Sequence, residues 1–240
     1  MNRSLLFLFL LVVFFARLGF ADPLKLVSTS PQFWATNVSA SQKTISLTFD
    51  QRLRSTLTDW IGLDVLSPPS DLQTKYSADH MSCSIDVHLD PGHVYICALN
   101  GRGIPGVGFQ NEKGIPLPPT YLVFQTAGTP KPEDAPPSVK GTIPMSGTQV
   151  DVARTKAITI TFDQPMEIKK HGLHVFENNK PVDISKLQFV YSADGRTFTM
   201  PYNFRSATQY RLELNSTNDI GFSRANKIPL WPVQISFSVP

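Results

Sequence analysis

TISLTFDQRL (Thr44–Leu53) and AITITFDQPM (Ala157–Met166) are one segment written twice. In each copy apolar side chains alternate with Ser or Thr, and Phe-Asp-Gln follows. Alternation with a period of two is the mark of a strand with one buried face. Ile45, Leu47 and Phe49 share that face in the first copy, and Ile158, Ile160 and Phe162 in the second. The repeat extends outward from there. IGLDVL (Ile61–Leu66) faces HGLHVF (His171–Phe176), and YSAD recurs at Tyr76 and Tyr191. Tyr76–Gly106 aligns with Tyr191–Gly221 without a gap, pairing Tyr95 with Tyr210, Leu99 with Leu214 and Asn100 with Asn215. Each copy closes on a β-rich run, YLVFQT (Tyr121–Thr126) and VQISFSV (Val233–Val239). A repeat of roughly a hundred residues is a domain rather than a solenoid unit.

The other alternating runs supply further inward faces. Leu63 and Val65 answer Leu173 and Val175; Cys83, Ile85 and Val87 answer Phe198, Met200 and Tyr202. Tyr95, Cys97 and Leu99 answer Tyr210, Leu212 and Leu214, and the last strands offer Leu122 with Phe124 and Ile235 with Phe237. No segment after the first twenty residues sustains a 3.6-residue period, so the chain reads as all-β. Short strands with one apolar face each must pack sheet on sheet. The predicted division is sandwich 1 over 22–128, a Pro-rich linker over 129–137 and sandwich 2 over 138–240. The linker lies in AGTPKPEDAPPS (Ala127–Ser138), with little to bury, and is expected to be extended and semi-rigid.

Residues 1–21 read as a secretory signal peptide. Arg3 opens it, Leu5–Phe15 is unbroken apolar chain, and Gly19 and Ala21 suit a cleavage site. No later stretch is long enough to span a bilayer. The formal charge of +3 loses Arg3 and Arg17 with the leader. A nearly neutral chain without a Lys/Arg cluster has no electrostatic footprint for nucleic acid.

Cys83 and Cys97 both fall on the apolar parity of consecutive strands, where the second copy has Phe198 and Leu212. Tyr95 stands two residues before Cys97, the spacing of a tyrosine corner. The expectation is a buried disulfide across the core, which secretion permits; the alternative is two free buried thiols. No C-x-x-C motif points to redox work.

LVSTSPQFWATNVSASQKTISLTFDQRL and VKGTIPMSGTQVDVARTKAITITFDQPM together resemble the opening of the bacterial Ig-like domains of the S-layer (SbsA) type. LDPGHVYICAL (Leu89–Leu99) resembles that family's entry into a later strand, and NEKGIPL (Asn111–Leu117) its approach to the last one. The resemblance implies two tandem immunoglobulin-like β-sandwich domains and a spacer, adhesion or scaffold role on secreted or surface proteins. It carries no catalytic residues. The first copy departs from the pattern at Phe33 and Trp34, where the second keeps Ser146 and Gly147. These two aromatics are the candidate binding residues, for a partner protein or a sugar ring. Alternatively they fold back to plug one end of the sandwich.

Other motifs lose their chemistry in context. Gly101, Gly103 and Gly106 spell G-x-G-x-x-G, but Pro105 and the GIPLPP run (Gly114–Pro119) forbid the helix a dinucleotide site requires. His171 and His174 are three apart, so on a strand they face opposite sides and cannot share a metal, whereas on a turn they could. His80, His88 and His93 read as solvated turn or strand-end residues. Asp50 and Asp163, like Asp79 and Asp194, recur in both copies and read as turn caps. No paired carboxylates flank a cleft, and no G-x-S-x-G elbow is present. Asn37 and Asn215 begin glycosylation sequons, which matter only in a eukaryotic host.

The expectation is therefore a secreted, non-enzymatic protein of the periplasm or cell exterior, with no catalytic residues, metal or cofactor. Its partner is an envelope or extracellular protein or glycan. The alternative is a small periplasmic copper-type metal-binding protein.

Overall fold

The computed structural model describes residues 22–54, 60–62, 66–68, 73–100 and 108–240. The expected leader, the inward pair Leu63 and Val65, and the Gly101–Gly106 string lie outside these residues. The first sandwich holds β1 (Leu26–Ser30), β2 (Ala35–Val38), β3 (Thr44–Phe49), β4 (Trp60–Gly62), β5 (Lys75–Tyr76), β6 (Ser82–Asp86), β7 (Val94–Leu99) and β8 (Thr120–Thr126). They form two sheets, in the orders β1-β3-β6-β5 and β2-β8-β7-β4. Every pair is antiparallel except β2 with β8, which is parallel.

The second sandwich repeats this plan with β9 (Val139–Ile143), β10 (Ala157–Phe162), β11 (Leu173–Glu177), β12 (Lys180–Val182), β13 (Val190–Tyr191), β14 (Thr197–Pro201), β15 (Thr208–Leu214) and β16 (Val233–Val239). Its sheets run β9-β10-β14-β13 and β12-β11-β15-β16. The counterpart of β2 is reduced to one parallel bridge, Gln149 with Ser238. Two facing sheets with these orders, one carrying a short parallel strand at its edge, make each unit an immunoglobulin-like sandwich.

The alternation read from sequence fills both cores. Ile45, Leu47, Phe49, Ile85, Tyr95, Leu99, Leu122 and Phe124 are buried together in the first; Ile158, Ile160, Phe162, Phe198, Met200, Tyr210, Leu212 and Phe237 are in the second. The tyrosine corner forms in both copies. The Asp90 N–H donates to Tyr95 Oη at 2.8 Å, and the Arg205 N–H to Tyr210 Oη at 2.7 Å.

Cys83 and Cys97 are buried on facing sheets, and both are free thiols. The disulfide expected between them is not formed in this structure. Each sulfur packs as an apolar side chain in the first core, as Phe198 and Leu212 do in the second. Burial pushes both thiols up to about 12.

The repeated polar residues are braces. In YSAD the Asp79 carboxylate accepts from Ser77 Oγ (2.6 Å) and the Met81 N–H (3.0 Å). Asp194 does the same with Ser192 Oγ (2.5 Å) and the Arg196 N–H (3.1 Å). Asp50 and Asp163 accept the N–H of Lys25 and Ser138, fixing the residue that leads into β1 and β9. Asp79 and Asp194 are the turn caps expected; Asp50 and Asp163 instead pin the chain 25 residues earlier rather than a local turn. The linker differs from the extended segment expected. Pro132–Asp134 form one 3₁₀ turn, and its carbonyls are taken by the second sandwich: Arg224 donates to Glu133 O and Ala135 O at 2.7 and 2.9 Å, and Asn226 to Glu133 O at 2.8 Å.

Candidate functional site

A third apolar cluster lies outside both cores and joins the sandwiches. Leu66, Val94, Ile96 and Val123 come from the first and Ile228 from the second, with Trp34, Tyr121, Ile220 and Trp231 packed around them. The first sandwich contributes the outer face of its β8–β7 sheet. β7 is therefore buried on both sides, Tyr95, Cys97 and Leu99 inward and Val94 and Ile96 outward. The second sandwich contributes the loop between β15 and β16, which lies across that face.

Sequence reasoning missed this surface. The signal was present: VYICAL is apolar at every position, whereas its counterpart QYRLEL alternates. A strand apolar on both parities is covered on both faces.

The structure divides the two candidate binding residues. Phe33, partly buried, packs on the first core. Trp34 turns instead to the second sandwich and meets Trp231 edge-on, ring centroids 5.6 Å apart. The Trp231 indole N–H donates to Trp34 O at 2.9 Å. The Trp34 N–H donates to Val123 O at 2.6 Å, as that of Gly147 does to Ser236 O at 2.7 Å. Both residues sit in the left-handed region, Trp34 at φ 60° and Gly147 at φ 77°. The second copy fills this position with the residue that tolerates it; the first fills it with an indole aimed at its neighbour.

Polar contacts ring the apolar patch. The Tyr121 N–H donates to Thr217 O at 2.6 Å, and Asn218 Nδ2 to Pro119 O at 2.8 Å. The loop carrying Thr217 and Asn218 is held from behind by Asn215, which is buried. Its Nδ2 donates to Phe222 O and Leu230 O, both at 2.8 Å, and its Oδ1 accepts the Phe222 N–H at 2.9 Å. Asn100 makes the same three bonds, to Phe109 O, Leu117 O and the Phe109 N–H. With its amide so engaged, Asn215 is closed to glycosylation in the folded chain, while Asn37 is exposed. Gly221 is the counterpart of Gly106, and a Cβ there would meet His171 O at 2.3 Å. Close backbone packing accounts for the glycine at 221.

His174 braces the same loop. Its Nε2 lies 3.1 Å from Asp219 Oδ2, and Asp219 Oδ1 accepts the Gly221 N–H at 2.8 Å. The neighbouring Asp219 carboxylate raises the His174 pKa against the opposing effect of burial. Burial pushes Asp219 upward, but the close His174 imidazole, the Gly221 N–H and the charge of His171 outweigh it and hold the carboxyl below its ordinary range. His171 turns among Phe189, Phe198 and Phe222, and burial lowers its pKa. His80 stacks on Tyr76 and His93 packs on Tyr95. Among the described residues no three His, Cys, Asp or Glu side chains converge as metal ligands. None of the described helices is long and apolar enough to cross a membrane.

Residues 133–239 match the family model of the bacterial Ig-like domain. That half is the one that keeps Ser146 and Gly147. Among curated proteins, none matches this chain. Solved tandem Ig structures are similar at low identity. A titin Ig tandem, domains A164-A165, is 12% identical, with 90% of this chain and 96% of that one covered and a TM-score of 0.26. A chimeric titin Z1Z2-Z1Z2 tandem carrying a fibronectin peptide is 9% identical, with 91% and 100% covered and a TM-score of 0.31. The Rst D1-D2 structure is 13% identical, with 91% and 100% covered and a TM-score of 0.27.

Proposed function

We propose that this chain is a secreted, non-enzymatic cell-envelope or extracellular module in which two Ig-like domains, 22–128 and 138–240, form one stiff binding and spacing unit. The S-layer type of the bacterial Ig-like family is the member it resembles. The observation that carries the reading is the junction: a buried apolar cluster, the Trp34–Trp231 contact and hydrogen bonds from Tyr121, Asn218 and Trp231 bridge the two sandwiches. Inter-domain motion is the default unless the interface is large and hydrophobic, and this one is built on a buried apolar cluster to which both sandwiches contribute. A stiff pair holds the loops at its ends at fixed spacing, which is what a spacer or adhesion module requires. Sandwich-end loops are also where such folds place their contacts. The test is ¹⁵N relaxation of the chain lacking residues 1–21, with small-angle scattering on the same sample. One rotational correlation time for both sandwiches supports the reading. Two distinct, shorter times overturn it.

A further inference from the structure

A cleft of about 410 Å³ opens where the two sandwiches meet. It is built by three segments: Lys170 from the loop between β10 and β11, Ile220, Ser223 and Lys227 from the loop between β15 and β16, and Tyr121 from β8 of the first sandwich. Small-ligand sites favour this size and favour domain junctions.

The charges of the cleft do not cancel. One carboxylate, Glu167, serves two ammonium groups, Lys227 at 2.9 Å and Lys170 at 4.0 Å. Lys169 adds its field to the same carboxylate. Glu167 lies behind the wall; the acid that lines it, Asp219, is turned to His174 at 3.1 Å. Arg224 is taken by the linker carbonyls. An excess of positive charge therefore lies along one rim of the cleft. Tyr121 and Ile220 supply an apolar wall, and the buried Ser223 supplies a hydroxyl.

We infer that this cleft binds an acidic sugar residue, a pyranose ring bearing a carboxylate or a phosphate. Its anionic group meets Lys170 and Lys227 in charge-assisted hydrogen bonds, and its less polar face lies on Tyr121. One ring-sized cleft with two ammonium groups suits a single acidic residue. It does not offer the row of cations that a nucleic-acid backbone requires. The inference rests on the closed junction proposed above, because Tyr121 reaches the second sandwich's loops only there.

The experiment is an amide-shift titration of the ¹⁵N-labelled chain without residues 1–21. The probes are D-glucuronate, glucose 6-phosphate, glucose and inorganic phosphate. Saturable shifts at Tyr121 and residues 218–227 are expected with the two acidic sugars. Glucose and phosphate should bind at least tenfold more weakly. The stronger of the two acids identifies carboxylate or phosphate as the natural group. Lys170→Gln with Lys227→Gln should weaken the acidic sugars tenfold or more and bring them level with glucose. Tyr121→Ala should bring the preferred acid level with inorganic phosphate. An unchanged spectrum outside the cleft shows that each variant folds, and a single rotational correlation time shows that its junction stays closed. Equal binding of glucose and glucuronate, or no saturable shift, overturns the inference. When relaxation shows a closed junction and nothing binds, the ligand assignment alone fails. An open junction overturns the reading beneath it.

Discussion

Trp34 is a bulky residue at φ 60°, a conformation that L side chains seldom adopt. Such a position costs about 1–3 kcal/mol, and here the indole returns that through its contact with Trp231. The two partners are thus not equivalent. Trp231→Ala loses the ring contact and the bond to Trp34 O, while Trp34→Gly keeps the carbonyl and relieves the backbone. From half-buried apolar area, an aromatic pair and one hydrogen bond, Trp231→Ala should cost about 3 kcal/mol of full-chain stability and Trp34→Gly about 1 kcal/mol. Urea unfolding of the two variants gives the order, and the reverse order removes the strain argument. Asn215 combines a left-handed backbone, φ 59°, with three buried hydrogen bonds. Asn215→Ala strands three main-chain groups and adds backbone strain, so it should cost about 4 kcal/mol. A loss below about 1 kcal/mol would mean that water replaces the amide. The two cysteines behave as core residues: with both thiols pushed up to about 12, they should resist alkylation in the native chain and react once it is unfolded. Rapid labelling of the native protein, or an unreduced mass two hydrogens below that of the dithiol, contradicts this.

At the scale of elements, much of the fold was legible because each strand was asked to bury one face. β3, β6, β10 and β14 take the parity their Ile, Leu and Phe residues dictate. The recurrent Asp79 and Asp194 announced their turns, whereas Asp50 and Asp163 reach a strand entry 25 residues away, which recurrence alone does not reveal. What stayed hidden was β7, whose outward Val94 and Ile96 have no use inside one sandwich. A single strand does not say what covers its second face, so Trp34 was legible as unusual but not as a bridge to Trp231. The cysteines show the same limit, since parity places both thiols in the core and leaves open whether they bond. The loop from β15 to β16 also depends on a charge pair that sequence did not reveal. His174 gains from Asp219, so its folded pKa lies above the ordinary value near 6.5. Its contribution is full below that value and is lost as pH rises through the folded pKa. Asp219 works oppositely: held low, it contributes above its ordinary range and loses that as pH falls. Glu213 faces His174 across β15, and His171, neutral when buried, opposes folding at acid pH. His174→Gln should therefore flatten the fall in stability above about pH 6.5 by no more than about 1 kcal/mol, because the pair is partly exposed. Chemical unfolding at three pH values measures it, and a slope unchanged by the substitution would remove the pair from the account.

The whole molecule is asymmetric despite its duplicated sequence. The face of the first sandwich that receives the loop carries Trp34, Leu66, Val94, Ile96 and Val123. The second sandwich has Gly147, Phe176, Gln209, Arg211 and Ser236 at the corresponding places. Arg211 lies over the Phe176 ring at 3.8 Å and pairs with Glu213, so that face is closed by a cation and its counter-ion. One docking surface thus exists where two-fold repetition would give two, and the polar version blocks a further copy from adding to the array. Swapping the faces tests this. Val94→Gln with Ile96→Arg gives the first sandwich the second's residues and places a charge in the apolar junction, where an unpaired ion costs several kcal/mol. The junction should open, and a single unfolding transition should separate into two. The converse change, Gln209→Val with Arg211→Ile, leaves the native junction intact and uncovers Phe176. It gives the second sandwich a face that accepts the loop between β15 and β16 of another molecule. That contact is heterologous and has no symmetry to close it, so sedimentation velocity should show association that grows with concentration and continues beyond a dimer. A monomer at every concentration would mean that Trp34, absent from the second face, sets the docking rather than the apolar strand residues. Adding Gly147→Trp to the double variant separates these: restored association assigns the decisive contact to the indole, and continued monomer removes the repeat-docking argument altogether.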